Sequence, residues 1–201
     1  MELRIAPVIL ALGLSACGAV FEPAAGVGAG DRPGGGGGAG EVRGYAARCA
    51  GCHGPTGAGT DFAPQIRSPH EGYAAWVIRN GRRTAGSLGY PADMPAFGDS
   101  IDEAELEEIL SFLQEQPMPE DGEGLYLRFC GNCHGPDGRG GVVGESAREE
   151  AEDREDFFEI VREGEGGTSY GDRDDFMPAR GRSELTDDEL EKIRRFLLGA
   201  R

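Results

Sequence analysis

Two stretches of this 201-residue chain carry the same reactive pattern. Cys49-Ala50-Gly51-Cys52-His53 and Cys130-Gly131-Asn132-Cys133-His134 are both C-x-x-C-H. Two thiols at that spacing can add to the two vinyl groups of a porphyrin, and the histidine that follows faces the iron as proximal ligand. The spacing matters because two thioether bonds and one Fe–N bond must share one rigid ring. The pattern predicts two haem c cofactors, one at Cys49, Cys52 and His53 and one at Cys130, Cys133 and His134. Other uses of the cysteines fit less well. A structural zinc site places its two C-x-x-C pairs about 15–20 residues apart, whereas 77 residues lie between Cys52 and Cys130. Two C-x-x-C disulfides would leave both histidines without a purpose.

The sixth iron ligand is sought downstream. Met94 and Met177 lie 41 and 43 residues after their histidines, and each is followed by proline. Thioether sulfur is an axial haem ligand that raises the reduction potential. The expected iron ligands are therefore His53 with Met94 and His134 with Met177. Of the other methionines in the mature chain, Met118 has no counterpart and reads as structural. His70 is the third histidine. It could complete a bis-histidine haem, but it too lacks a counterpart, and a surface or loop role is favoured.

The elements that must position these residues occur twice. Tyr45 and Tyr126 each precede a first motif cysteine by four, and the motifs align at an offset of 81. Ala74 to Gly81 aligns with Phe157 to Gly164 at 83, as Met94-Pro95-Ala96 does with Met177-Pro178-Ala179. Leu106, Ile109 and Phe112 match Leu190, Ile193 and Phe196 at 84. Each copy reads as helical: a short helix into the motif, a middle helix (71–80 and 154–163) closed by Gly81 or Gly164, and an amphipathic last helix. Ser100 with Glu103, and Thr186 with Glu189, have capping-box spacing. No convincing strand is present, so the expected fold class is all-α, with one domain over 41–116, a proline-containing linker over 117–121 and a second domain over 122–201. The charged run Arg148 to Asp156 has no counterpart in the first copy and reads as a solvated helix or loop.

Each half resembles a class I cytochrome c domain, and the pair resembles the two-domain di-haem cytochromes of bacterial periplasms. The resemblance covers about residues 41–201. It implies that Tyr45, Tyr126, Phe112 and Phe196 pack the first helix of each domain against the last, beside the haem. It also implies a proline carbonyl behind the proximal histidine, which orients the ring and tunes the iron. Pro64 fits that role. The second half has Gly141-Val142-Val143-Gly144 there and no proline, so the two haems are expected to differ in potential.

Composition agrees with a cofactor-stapled protein. Hydrophobic residues make up 38% of the chain and aromatics 7%, thin material for the cores of two small domains. The formal net charge of −16 excludes nucleic acid as a partner and suits redox proteins with a basic docking face. Residues 1–16 read as an export signal whose apolar stretch is too short to span a bilayer. Leu14-Ser15-Ala16-Cys17 resembles the bacterial lipobox, which implies cleavage before Cys17 and its lipidation. Residues 17–40 are glycine-rich and read as a disordered tether, with a reach of roughly 25–30 Å. The expected location is the periplasmic side of a bacterial membrane. The leading functional expectation is a membrane-tethered electron carrier that is not itself an enzyme. The same haems would also serve a cytochrome subunit of a larger periplasmic oxidoreductase, or a peroxidase-like enzyme if one iron lost its methionine.

Overall fold

The computed structural model of the protein describes residues 43–83, 89–171 and 175–199. The expected signal 1–16, the lipidated Cys17 and the tether 17–40 lie outside the described residues. Helices α1 (Arg43–Arg48) and α2 (Ala50–His53) carry the first motif, followed by α3 (Glu71–Asn80) and α4 (Glu103–Gln114). The order then repeats: α5 (Gly122–Phe129), α6 (Gly131–His134), an inserted α7 (Ala147–Glu150), α8 (Arg154–Glu163) and α9 (Asp187–Leu197). Extended pairing among the described residues includes two isolated bridges at equivalent places, Arg82 with Met94 and Glu165 with Met177. The all-α expectation holds, and α3 and α8 span the expected ranges.

Each half closes its first helix on its last around a small apolar core. In the first, Tyr45, Ile101, Leu106, Ile109 and Leu113 are buried together. In the second, Tyr126, Leu185, Leu190, Ile193 and Leu197 take the same places, joined by Leu125. Burying a leucine or isoleucine side chain fully is worth about 1.5–3 kcal/mol. The Tyr45 ring lies 4.7 Å from Phe112, and the Tyr126 ring 5.3 Å from Phe196, both tilted by 38°. The hydroxyl of Tyr45 donates to the Gly54 carbonyl and that of Tyr126 to the Gly135 carbonyl, each at 2.7 Å. The tyrosines thereby tie each first helix to the residue after its motif histidine.

The two last helices are capped differently from each other. Thr186 and Glu189 form the expected capping box. Ser100 and Glu103 do not. Asp102 caps α4, accepting from the Glu105 amide at 2.9 Å, while the Ser100 hydroxyl donates to the Phe97 carbonyl at 2.6 Å. The cause is a hydrophobic staple, in which the residue before the cap packs with the fourth helical residue. Ile101 and Leu106 flank Asp102 in that way, as Leu185 and Leu190 flank Thr186, and all four are buried. A start at Ser100 would pull Ile101 out of that register. Such a cap is worth about 1 kcal/mol. The run 148–156 folds into α7 and the first turn of α8. Its acidic side chains face solvent as expected, and Ala147 and Ala151 anchor it to the core. Met118, read as structural, is 41% exposed in the linker.

The two halves dock within one compact unit, Gly38–Arg201. Arg128 of α5 is the clamp. Its Nε donates to the Ser68 hydroxyl at 2.9 Å, and its two terminal nitrogens donate to the carbonyls of Pro117 (2.5 Å) and Gln116 (2.8 Å). One guanidinium thus holds the linker and the first domain together. Burial first, and Arg67 second, push its pKa down to about 10. Gln65 donates to the Arg128 carbonyl at 2.6 Å, and Asn132 donates back to the Gln65 carbonyl at 2.6 Å.

Candidate haem sites

The first motif, Met94 and an apolar space come together as one site. Cys49 closes the turn into α2, which carries Cys52 and His53. A cavity of about 240 Å³ is bordered by Cys49, Cys52, His53 and Met94, with Ile66, Val77, Ile78, Phe97 and Ile109 in its walls. Two thiols, an imidazole and a thioether around an apolar space are the donor set a haem c requires, so the residues fit the group. His53 Nδ1 donates to the Pro64 carbonyl at 2.8 Å. That bond leaves Nε2 as the nitrogen with a free lone pair, and it orients the ring. Burial lowers the His53 pKa, opposed by the Pro64 bond, in the direction that favours the neutral imidazole a ligand needs. Burial also pushes the Cys49 thiol up to about 11.

The methionine loop is held by the backbone. Arg82 and Met94 exchange amide-to-carbonyl bonds of 3.0 and 2.9 Å. This pairing is possible because Gly81 ends α3 at φ 76°, ψ 176°. A Cβ there would stand 2.8 Å from the Met94 carbonyl and 2.9 Å from the Ala96 amide.

The second site repeats this backbone with one substitution. Glu165 and Met177 exchange bonds of 2.8 and 3.1 Å, and Gly164 takes the place of Gly81 at φ 65°. Cys130 and Met177 pack on the same apolar cluster, and burial pushes the Cys130 thiol up to about 12. The expected absence of a proline behind His134 holds, but the carbonyl role is filled. The Glu145 carbonyl faces His134 Nδ1 at 3.4 Å, a longer and weaker contact than at His53. Glu145 is the residue sequence reasoning missed. The motif offset of 81 carries Pro64 onto it. Gly141 serves another purpose: a Cβ there would stand 2.5 Å from the Cys133 carbonyl.

His70 lies half-buried in the loop before α3, in keeping with the expected loop role. Its Nδ1 accepts from the Tyr73 amide at 3.3 Å and so caps α3. Its ring packs against Tyr170 and Phe176 of the second half at 6.1 and 5.9 Å. It borders the first cavity, with one nitrogen committed to the cap. Among the described residues, no group of three or more His, Cys, Asp or Glu is placed to hold a metal ion, and the four motif thiols are unbridged.

A family model described as cytochrome c oxidase, cbb3-type, subunit III matches residues 40–113 and again 117–197. The chain belongs to this family. Membership implies covalently bound haem c and electron transfer, and the double match makes the fold two tandem cytochrome c domains. A curated relative is the cbb3-type cytochrome c oxidase subunit FixP of Azorhizobium caulinodans, 26% identical over 110 residues, covering 48% of this chain and 38% of the relative. The chain therefore spans well under two thirds of that relative's length. No helix among the described residues is long and apolar enough to cross a membrane.

Proposed function

We propose that the protein is a membrane-tethered di-haem cytochrome c that passes single electrons on the periplasmic side of a bacterial membrane, acting with a cbb3-type oxidase. The observation that carries the reading is the single cavity bordered by Cys49, Cys52, His53 and Met94, with its methionine loop reproduced in the second domain. Family membership favours service to an oxidase over a free-standing carrier.

Cys49 and Cys52 would hold the first haem and Cys130 and Cys133 the second, through thioether bonds. His53 with Met94, and His134 with Met177, would supply the iron ligands. Haem c supplies one-electron chemistry when bound, its iron alternating between ferric and ferrous. The chain's task is to hold the ligands still and keep water out. Pro64 and Glu145 orient the two imidazoles, and the bridges at Arg82 and Glu165 keep the methionine loops in place. The bond at His53 is the tighter, and a hydrogen-bonded imidazole is the more basic ligand, so the two haems differ in potential. Cys17 bears the lipid anchor, residues 17–40 are the tether, and the domains run 41–116 and 122–201. The net charge of −16 steers partners with basic docking faces.

Methionine substitution tests the ligation. Met94→Ala and Met177→Ala each abolish one methionine–iron absorption and lower one haem's potential. If Met177→Ala changes neither spectrum nor potential, the assignment at the second site is wrong.

A further inference from the structure

The cavity at the first site is not built by its own domain alone. Phe129, Asn132, Cys133, Phe176, Pro178 and Arg180 also line it, and all six come from the second repeat. Arg180 is the chemically unusual member. It is 7% exposed, and its Nε has no hydrogen-bond partner. One terminal nitrogen reaches the Ser68 carbonyl at 3.4 Å and the Glu184 carboxylate at 3.5 Å, both at the outer limit of a useful bond. Glu184 turns its other oxygen to the Gly181 amide at 3.1 Å. A buried guanidinium so poorly partnered is costly unless an anion completes its shell.

The surroundings agree. Arg67 and Arg82 border the same cavity, and each also has a buried Nε without a partner. Among the described residues the lining carries one carboxylate, Asp93. Ser68, which accepts from Arg180, sits at φ 50°, a conformation unusual for a residue other than glycine. Its amide bond to the Leu113 carbonyl (3.0 Å) and its hydroxyl bond from Arg128 (2.9 Å) hold it there. Backbone strain of this kind persists only where the surroundings over-determine it. Of the second motif, Cys133 borders this cavity while Cys130 and His134 do not, so the space belongs to the first site.

A haem carries two propionate carboxylates, and a guanidinium fork matches a carboxylate in geometry and charge. We propose that Arg180 is the carboxylate receptor for the haem bound at Cys49, Cys52 and His53, so that the first haem site is completed across the domain junction by a cation from the second repeat. This rests on the reading of the first motif as a haem site. Arg180 then couples the two domains: the first haem's potential depends on a residue of its neighbour. Removing the cation leaves a propionate uncompensated, which stabilises the ferric state.

The test is a potentiometric titration of the full-length haem-loaded protein, with the first haem's wave assigned by Met94→Ala. Arg180→Gln is expected to shift the first haem's equilibrium toward ferric by about tenfold, which is 59 mV for one electron. Arg180→Lys, which keeps the charge but not the fork, is expected to recover at least half of that shift. The proposal is overturned if Arg180→Gln leaves the first wave in place, if only the second wave moves, or if lysine recovers nothing. If Met94→Ala moves neither wave, the haem-ligand reading fails and takes this proposal with it. If Met94→Ala moves its wave and Arg180→Gln does not, this proposal fails alone.

Discussion

Gly164→Ala would separate two demands that the second methionine loop makes on one residue. Gly164 sits at φ 65°, ψ −175°, a region essentially reserved for glycine, where another residue costs about 1–3 kcal/mol. The new Cβ would also stand 2.5 Å from the Met177 carbonyl and 2.5 Å from the Ala179 amide. Overpacking against backbone that cannot rotate away typically costs about 1–3 kcal/mol more. The total of about 2–6 kcal/mol is a large share of the roughly 5–15 kcal/mol that holds a domain together. Either the loop stays and stability falls by at least about 2 kcal/mol, or the loop yields and Met177 leaves the iron. Denaturant unfolding of the haem-loaded protein reads the first outcome, and the methionine–iron absorption of the ferric protein reads the second. Gly81→Ala should do the same more mildly, since its nearest contacts are 2.8 and 2.9 Å. Gly181→Ala is the control. Its nearest neighbour would be 3.7 Å away, and its effect should stay within about 0.5 kcal/mol. Gly164→Ala with an unchanged unfolding midpoint and intact methionine–iron absorption would refute the reasoning.

Two other perturbations test the domain junction. Arg128→Met removes the donor to Ser68, Gln116 and Pro117. Leaving even one of these acceptors buried and unpaired costs about 1–3 kcal/mol, so thermal unfolding should come earlier and proteolysis within 116–121 faster. Unchanged cleavage there would count against the clamp. His70 gives the junction a pH dependence. Burial first, then the Arg180 charge, hold its pKa below the ordinary value of 6.5. The unfolded chain then binds the proton first, so stability is full above about 6.5 and is lost as pH falls below it. Under the proposed ligation the other two histidines are committed to iron. His70→Asn, which keeps a capping acceptor, should flatten the pH slope of the urea midpoint, and an unaltered slope would exclude His70 as its source.

Much of this arrangement was legible in the sequence because it is written twice. The offset between copies located both motifs, both methionines and the glycines that end α3 and α8. The misreadings fall where that offset was not carried far enough. An offset of 84 takes Thr186 back to Asp102, the true cap of α4, and an offset of 81 takes Pro64 forward to Glu145. Ser100 misled because it is a good capping residue with glutamate three positions on. The burial of Ile101 and Leu106 on either side of Asp102 agrees with that offset and not with a start at Ser100. The docking of the halves left no such trace. Arg128, Arg180 and the His70–Tyr170–Phe176 contacts have no counterpart within the repeat. Their roles depend on which faces of the two repeats meet, and no periodicity encodes that.

The central claim is two histidine–methionine haems in one chain. Potentiometric titration of the full-length protein with optical detection tests it most directly. Two distinct one-electron waves are expected, with low-spin methionine–iron absorption lost in two steps by Met94→Ala and Met177→Ala. One wave, or a second haem whose spectrum shows no methionine at its iron, would contradict it.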